Sequence, residues 1–222
     1  IGCGAGTLTR ELALCAKKVL SYEIDQKLQP VLAETLAGID NAEVVFRDFL
    51  KEDLAAVEAE LGRYTVVANL PYYITSAIVM KFVEDAKNAD ALVIMVQDDV
   101  AKRFCAEAGT PEYGAITAAI ARRADAKIVK YVPRQMFYPV PGVDSAVVKL
   151  TFGEGRIPVK DAKTYRDTVR AAFLSRRKTL ENNLVNAFSL TREKAKEALA
   201  RAGVDEKARG ETLSPEKLAE LA

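Results

Sequence analysis

The chain has 222 residues, 32 Lys+Arg against 31 Asp+Glu for a net charge of +1, and half of its residues are hydrophobic. That is length enough for one or two cored domains, and a charge balance that neither marks nor excludes a polyanionic partner. There is no histidine, which excludes imidazole bases, Ser-His triads and His metal ligands. The three cysteines, Cys3, Cys15 and Cys105, are scattered, so they form neither a disulfide framework nor a metal pair and fit a reducing, cytoplasmic setting. No apolar stretch is long enough to span a membrane and no signal peptide is recognisable, so no membrane is expected, and without histidine or a cysteine pair no metal is expected either.

In chain order, Ile1-Gly2-Cys3-Gly4-Ala5-Gly6 is a glycine-rich turn that lets the backbone approach a ligand, with Thr7 expected to cap a helix over residues 8–16. Such a turn follows a strand, of which only Ile1 stands here, and there is no initiator Met; the natural N-terminus is expected upstream. Residues 18–23 read as a strand ending in Glu23, which lies 19 residues after Gly4, the spacing of a ribose-binding acid in nucleotide-binding βαβ units. A helix over 25–37, a strand over 43–46 with Asp48-Phe49 just past its end, and a helix over 52–61 follow. The apolar run 64–68 is a strand, Ile74, Ile78, Phe82 and Val83 share one helix face, and 91–96 is another buried strand. This alternation predicts a doubly wound α/β sheet.

Asn69-Leu70-Pro71-Tyr72 would then lie on a loop at the carboxyl end of a strand, where open α/β sheets bind ligands. The Asn69 side-chain oxygen and the Leu70 carbonyl can both accept N–H bonds from an exocyclic amine on a flat base. Pro71 restricts Leu70 and aims that carbonyl, and Tyr72 offers a stacking face. A plain strand-end turn with a buried Tyr is the alternative. Four successive strand ends carry such residues, at Gly2–Gly6, Glu23, Asp48 and Asn69, which weighs against chance.

Beyond a helix over 115–123, strands are expected at 127–132 and 145–152, then a linker over 153–160 with two glycines and a proline. The remainder reads as helical, with one stripe of Tyr165, Val169, Ala172 and Phe173 and another of Leu180, Leu184 and Ala187. A helix starts at Thr191 and stops at Gly203, and Ser214-Pro215 opens the last. Residues 160–222 hold 14 basic and 10 acidic side chains, and Arg176-Arg177-Lys178 is their densest cluster: a solvated helix face or a phosphate contact.

This set resembles the class I S-adenosylmethionine-dependent methyltransferases, and Asn69–Tyr72 is similar to the amine motif of the rRNA adenine N6-dimethyltransferases. Met95-Val96-Gln97 with Val100-Ala101 and Arg103, Tyr113-Gly114, and the block Phe137-Tyr138-Pro139-Val140-Pro141-Gly142-Val143-Asp144-Ser145-Ala146 extend the likeness. Phe173 with Arg176-Arg177-Lys178-Thr179-Leu180 and Asn182-Asn183-Leu184 takes it to the bacterial small-subunit (KsgA) type rather than the erythromycin-resistance type. Cys3, where Pro is usual, and Glu181, where a basic residue is common, are departures.

The resemblance implies a Rossmann-like methyltransferase domain over 1–153 and a C-terminal helical, RNA-contacting domain over 160–222. Gly2, Gly4 and Gly6 would line the cofactor's methionine part. Glu23 would bind its ribose, Asp48 its adenine amine with Phe49 beside the ring, and Asn69 would face cofactor and target base. Tyr72 and Phe137 would sandwich the target adenine, with Leu70 as second acceptor, and Arg176, Arg177 and Lys178 would touch RNA. The implied activity is dimethylation of adenine N6 near the 3′ end of small-subunit rRNA during ribosome biogenesis, by a cytoplasmic monomer acting on the immature small subunit. A large-subunit enzyme and an RNA-binding assembly factor with secondary or lost methylation remain alternatives; for a plain NAD-binding domain Asn69–Tyr72 would have no role.

Overall fold

The computed structural model describes residues 1–153 and 156–222. Its first half is a layered α/β unit. Helix α1 (Thr7–Ala13) starts directly after Gly6, whose φ of 84° is left-handed; Thr7 is therefore the first helical residue and not a cap, and the helix ends three residues earlier than its pattern predicts. Strand β1 (Val19–Glu23) leads to a 3₁₀ turn capped by Asp25 and then to α2 (Gln29–Thr35). The single helix expected over 25–37 is thus broken. Pro30 lacks an N–H and sits in the first turn of α2, where that donor is not needed, so it marks a new start.

Strand β2 (Ala42–Phe46) is followed by α3 (Leu54–Leu61), capped by Asp53, which accepts from the Ala55 N–H at 3.0 Å. Then come β3 (Tyr64–Asn69), α4 (Thr75–Asp85), β4 (Ala89–Gln97), α5 (Asp98–Phe104), α6 (Ala115–Arg123), β5 (Ala124–Val132) and β6 (Ser145–Phe152). β1 and β2 pair in parallel, and the remaining strands run β3-β4-β6-β5, with β3 parallel to β4 and β6 antiparallel to both its neighbours. The doubly wound sheet is therefore in two pieces among the described residues: one edge of β1 and one edge of β3 bound a gap.

Strand β4 is apolar from Ala91 to Val96 because both its faces are covered there. Leu92, Ile94 and Val96 are buried against Ile78, Val79, Phe82 and Val83 of α4 and against Val148 and Leu150 of β6. A side chain such as Leu92 buried in this way contributes about 1.5–3 kcal/mol.

The second half is helical: α7 (Ala162–Ala172), α8 (Leu180–Phe188), α9 (Arg192–Arg201) and α10 (Pro215–Leu221). Asp161, Thr179, Thr191 and Ser214 each cap one of these helices with a side-chain oxygen. Tyr165, Val169, Ala172, Leu180, Leu184, Leu199 and Leu218 form a second core that also takes in Tyr113 and Ala118 from the α/β half. The Tyr165 hydroxyl donates to the Ala118 carbonyl at 2.9 Å, so the two halves are joined by core as well as by chain. Of the expected stripes, Phe173 is half-buried with its ring edge-on to Tyr113 at 5.5 Å, and Ala187 is exposed because α8 ends one residue later. Gly210 packs so closely that a Cβ there would overlap the Ala172 carbonyl. The expected linker includes residues 154 and 155, which lie outside the described residues.

Candidate active site

The carboxyl ends of β1, β2 and β3 share one edge of the molecule. At the end of β1, Glu23 is buried. One of its oxygens accepts the Gly4 N–H at 2.9 Å, and the other accepts those of Ile24 at 2.8 Å and Asp25 at 3.0 Å. The carboxylate therefore clasps the glycine turn against the strand end. Gly2 and Gly4 have φ of 67° and 55° and no heavy atom within 4 Å of a would-be Cβ, so both leave the space beside them open. Gly6 is different: a Cβ would stand 2.8 Å from Leu32 Cδ2, which turns this glycine toward α2 and away from that space. Beside them, burial and the charge of Glu23 push the Cys3 thiol above its ordinary value, so it stays protonated.

Asp48 opens a 3₁₀ turn, accepting the Leu50 N–H at 3.0 Å, with Lys51 Nζ at 3.8 Å from its other oxygen. Phe49 is buried, edge-on to Tyr22 at 5.0 Å and stacked on Phe82 at 5.6 Å, so the ring beside Asp48 belongs to the core. A cleft of about 840 Å³ is lined by Gly2, Gly4, Phe49 and Asn69 and runs on between the edges of β1 and β3. Gly6, Glu23 and Asp48 do not line it; Glu23 reaches it through Gly4, and Asp48 through its neighbour Phe49.

Asn69 is the last residue of β3, paired with Met95, and not the first of a loop, because the ladder to β4 runs one residue further than the apolar run. It is exposed, and among the described residues its side-chain amide bonds to no protein group. Leu70 is buried, and its carbonyl likewise accepts no bond there. The next carbonyl, that of Pro71, is engaged: it accepts from the Ile74 N–H at 3.1 Å and starts α4. Two acceptors are thus left side by side, which suits an amine carrying two N–H groups.

Tyr72 is 40% exposed, which removes the reading of a buried turn tyrosine. Its hydroxyl lies 3.1 Å from the Ser145 hydroxyl, and Ser145, the first residue of β6, is fully buried. Phe137 is half-buried and sits on the β5–β6 connection that ends at Ser145. This connection is pinned by Arg134, whose backbone N–H donates to Asp144 at 2.9 Å and whose guanidinium donates to the Gly142 carbonyl at 3.2 Å. Tyr73 and Tyr138 flank the same edge in full view of solvent. Sequence reasoning did not single out Ser145. Its signal was weak: a small polar residue opening a strand that also carries Lys149 and Thr151.

The basic cluster is on the turn between α7 and α8, not on a helix face. The Arg176 guanidinium donates to the Pro111 carbonyl at 2.8 Å and to that of Tyr113, and so is engaged by the protein. Arg177 and Lys178 are exposed and, among the described residues, have no carboxylate partner. Asn183 is fully buried and donates to the carbonyls of Ala172 at 3.0 Å and Ser175 at 3.1 Å, fixing the turn from below. The acid at Glu181 is buried and neutralised by Arg192 at 3.3 Å.

An open α/β sheet with a glycine turn, acids at the ends of β1 and β2, and free amide and carbonyl acceptors at the end of β3 is the architecture of a Rossmann-like methyltransferase. The family model for ribosomal RNA adenine dimethylase matches residues 1–222, and the chain belongs to that family. It is 44% identical over 229 residues to a ribosomal RNA small subunit methyltransferase A from Geobacillus thermodenitrificans, covering all of this chain and 78% of that protein. A counterpart from Clostridioides difficile is likewise 44% identical, with 78% of it covered. Among solved structures, the 23S rRNA methyltransferase ErmE superposes with a TM-score of 0.70 at 32% identity, over 99% of this chain and 86% of that one. A dimethyladenosine transferase from Plasmodium falciparum, at 24% identity, shares the fold with a TM-score of 0.82 over 99% of this chain and 86% of its own. Among the described residues no group of His, Cys, Asp and Glu could hold a metal ion, and no helix is long and apolar enough to cross a membrane.

Proposed function

We propose that the chain transfers two methyl groups from S-adenosylmethionine to N6 of adenines near the 3′ end of small-subunit rRNA. The observation that carries this reading is the pair of unengaged acceptors, Asn69 Oδ1 and the Leu70 carbonyl, beside an exposed tyrosine held by a hydrogen bond.

The end of the cleft beside Gly2, Gly4, Phe49 and Asn69 suits the cofactor. Gly2 and Gly4 give room for its amino-acid part, and Phe49 gives an apolar wall. Glu23 uses three of about four acceptor positions on the protein's own N–H groups, leaving one for a ribose hydroxyl. When bound, S-adenosylmethionine supplies an electrophilic methyl group on sulfur. The protein's part is positional. Asn69 Oδ1 and the Leu70 carbonyl would accept the two N–H groups of N6, hold the nitrogen toward the methyl group, and favour the positive charge it gains as the N–CH₃ bond forms and the S–CH₃ bond breaks, its electron pair going to sulfur and S-adenosylhomocysteine leaving. N6 then loses a proton to water, and the cycle repeats with the remaining N–H. No imidazole is needed. An adenine drawn from its stack is received by Tyr72 and Phe137, which offset the unstacking cost.

Asp48→Ala should weaken S-adenosylmethionine binding about tenfold, the scale of one hydrogen bond to a charged group, made from just beyond the cleft's lining. Because Asp48 also caps the Phe49–Lys51 turn, Asp48→Ser is the informative companion. Serine keeps the cap but is too short to reach the base, so calorimetry should find it as weak as alanine. Wild-type affinity in Asp48→Ser would leave Asp48 with a capping role only.

On the RNA side, Arg177 and Lys178 contact phosphate while Arg176 acts as an anchor. Replacing Arg177 and Lys178 by Ala should flatten the salt dependence of RNA binding by nearly one log–log unit per lost contact. Arg176→Ala should leave the slope unchanged and lower stability by about 1–2 kcal/mol. A slope that responds only to Arg176 would reverse the assignment.

The function itself is tested by incubating undermethylated ribosomal subunits with labelled S-adenosylmethionine and separating the nucleosides. N6,N6-dimethyladenosine should appear in small-subunit rRNA. The 32% identity to a 23S rRNA methyltransferase supports one other reading, and label in large-subunit rRNA would establish it. Binding without label would favour an assembly factor.

A further inference from the structure

We propose that the groove between α4, α6 and α7, where the two halves of the molecule meet, is a second ligand site, one that takes a small monoanion with an apolar body. The groove encloses about 560 Å³, within the range of small-molecule sites, and shares no lining residue with the methyl-transfer cleft. Its Glu84 and Arg122 end also lies toward the other end of the sheet. Val83 and Glu84 are in the last turn of α4, and Arg122 is in the last turn of α6, just before β5 begins. Asn69 stands at the opposite, carboxyl end of β3.

The lining has two characters. Met80, Val83, Ile116 and Val169 form an apolar floor, and Arg122, Arg166 and Arg170 stand around it. The nearby carboxylates do not balance them. Glu84 pairs with Arg166 Nη1 at 3.3 Å, whereas Asp161 is engaged as the cap of α7, accepting the Thr164 N–H and hydroxyl at 2.7 Å each. Lys163, also on the rim, turns to Asp167 at 3.7 Å. Among the described residues neither Arg122 nor Arg170 meets a carboxylate, and Nε of Arg166 is a buried donor with no partner. A buried unpartnered donor is uncommon in native proteins; this one is closed to solvent, so a ligand oxygen meets it only as the Arg166 side chain turns. Burial, followed by the charge of Arg123, pushes the Arg122 pKa down, against the opposing pull of Glu84.

A carboxylate or sulfonate fits that donor set, because the planar guanidinium fork binds two oxygens of such a group through paired N–H bonds. The apolar floor requires the rest of the ligand to be aromatic or aliphatic. An RNA phosphate would meet the cations but leave the floor empty. Because α4 and α6 belong to one half and α7 to the other, an occupied groove braces the two against each other.

The probe is 8-anilinonaphthalene-1-sulfonate, titrated by fluorescence into the folded chain. One saturable site per chain is expected, displaced by octanoate and not by octanol, and indifferent to S-adenosylhomocysteine. Arg170→Gln, at an exposed position that leaves the cores untouched, should weaken the probe about tenfold, and Arg122→Gln with Arg170→Gln further still. Ala119→Phe, which fills the floor, should abolish binding while S-adenosylhomocysteine still binds. Absence of a saturable site, equal displacement by octanol, displacement by a short RNA but not by octanoate, or unaltered affinity in Arg170→Gln and Ala119→Phe would each overturn the proposal.

Discussion

Asn69→Ala should lower the single-turnover rate of methyl transfer by about 10²-fold or more, the scale of losing one preorganised polar partner of a developing charge. RNA affinity should change little, because Asn69 would contact one base while phosphate contacts elsewhere carry most of the binding. The separation follows from what the side chain does. Its oxygen has no structural task among the described residues, so its removal disturbs no fold, and it matters most when N6 becomes positive. Tyr72→Ala should act through the base instead, removing a stacking partner worth about 1–3 kcal/mol. The bond to Ser145 makes Tyr72→Phe more than neutral: it keeps the ring but leaves a buried hydroxyl at Ser145 without its partner. Ser145→Ala in the Tyr72→Phe background should therefore cost less than in the wild type, a coupling that a double-mutant cycle measures directly. A wild-type single-turnover rate in Asn69→Ala would remove the amine-binding role from the strand end and favour the assembly-factor reading.

Glu58→Ala should destabilise the chain by about 3 kcal/mol or more, read as a fall in the urea midpoint at constant slope. Glu58 is a buried acid on α3, and one of its oxygens accepts three bonds, from the Tyr64 hydroxyl at 3.0 Å, the Lys87 N–H at 2.8 Å and the Asn88 N–H at 3.0 Å. It ties α3 to the start of β3 and to the α4–β4 turn. Alanine would leave three donors without an acceptor. Glu58→Gln, which keeps an oxygen in the same place, should cost no more than about 1 kcal/mol. Equal losses in the two variants would show that the charge, and not the acceptor, holds these elements together.

The difference between what could be read in the sequence and what could not is one of range. α6 and β6 stand at the expected residues because each is a local pattern with clear ends. The strand ends carrying Glu23, Asp48 and Asn69 were legible for the same reason: an apolar run stops and a polar residue follows. Local chemistry misled where two readings share it. Gly2, Gly4 and Gly6 look alike in sequence, yet only the structure shows that Gly6 is required by Leu32 and faces away from the cleft. Pro30 in a helical pattern signals either a kink or a new start, and it proved to be a start. Contacts between distant residues were invisible. Ser145 is 73 residues from Tyr72, and Arg176 is 65 from Pro111, so nothing near either residue announces its partner. A cluster of three basic residues accordingly reads as one patch, although one member is an anchor and two have no carboxylate partner among the described residues.

That anchor sets a length scale. Arg176 grips the carbonyls of Pro111 and Tyr113 in the α/β half, while Asn183 grips the same turn from α8. A turn bolted on both sides does not swing, so Arg177 and Lys178 stand at a set reach from Asn69. An RNA helix seated on those two cations would present only the nucleotides that fall at that reach. The molecule would then choose its adenine much as a ruler does, by offset from a fixed mark, with the identity of the surrounding bases counting for little.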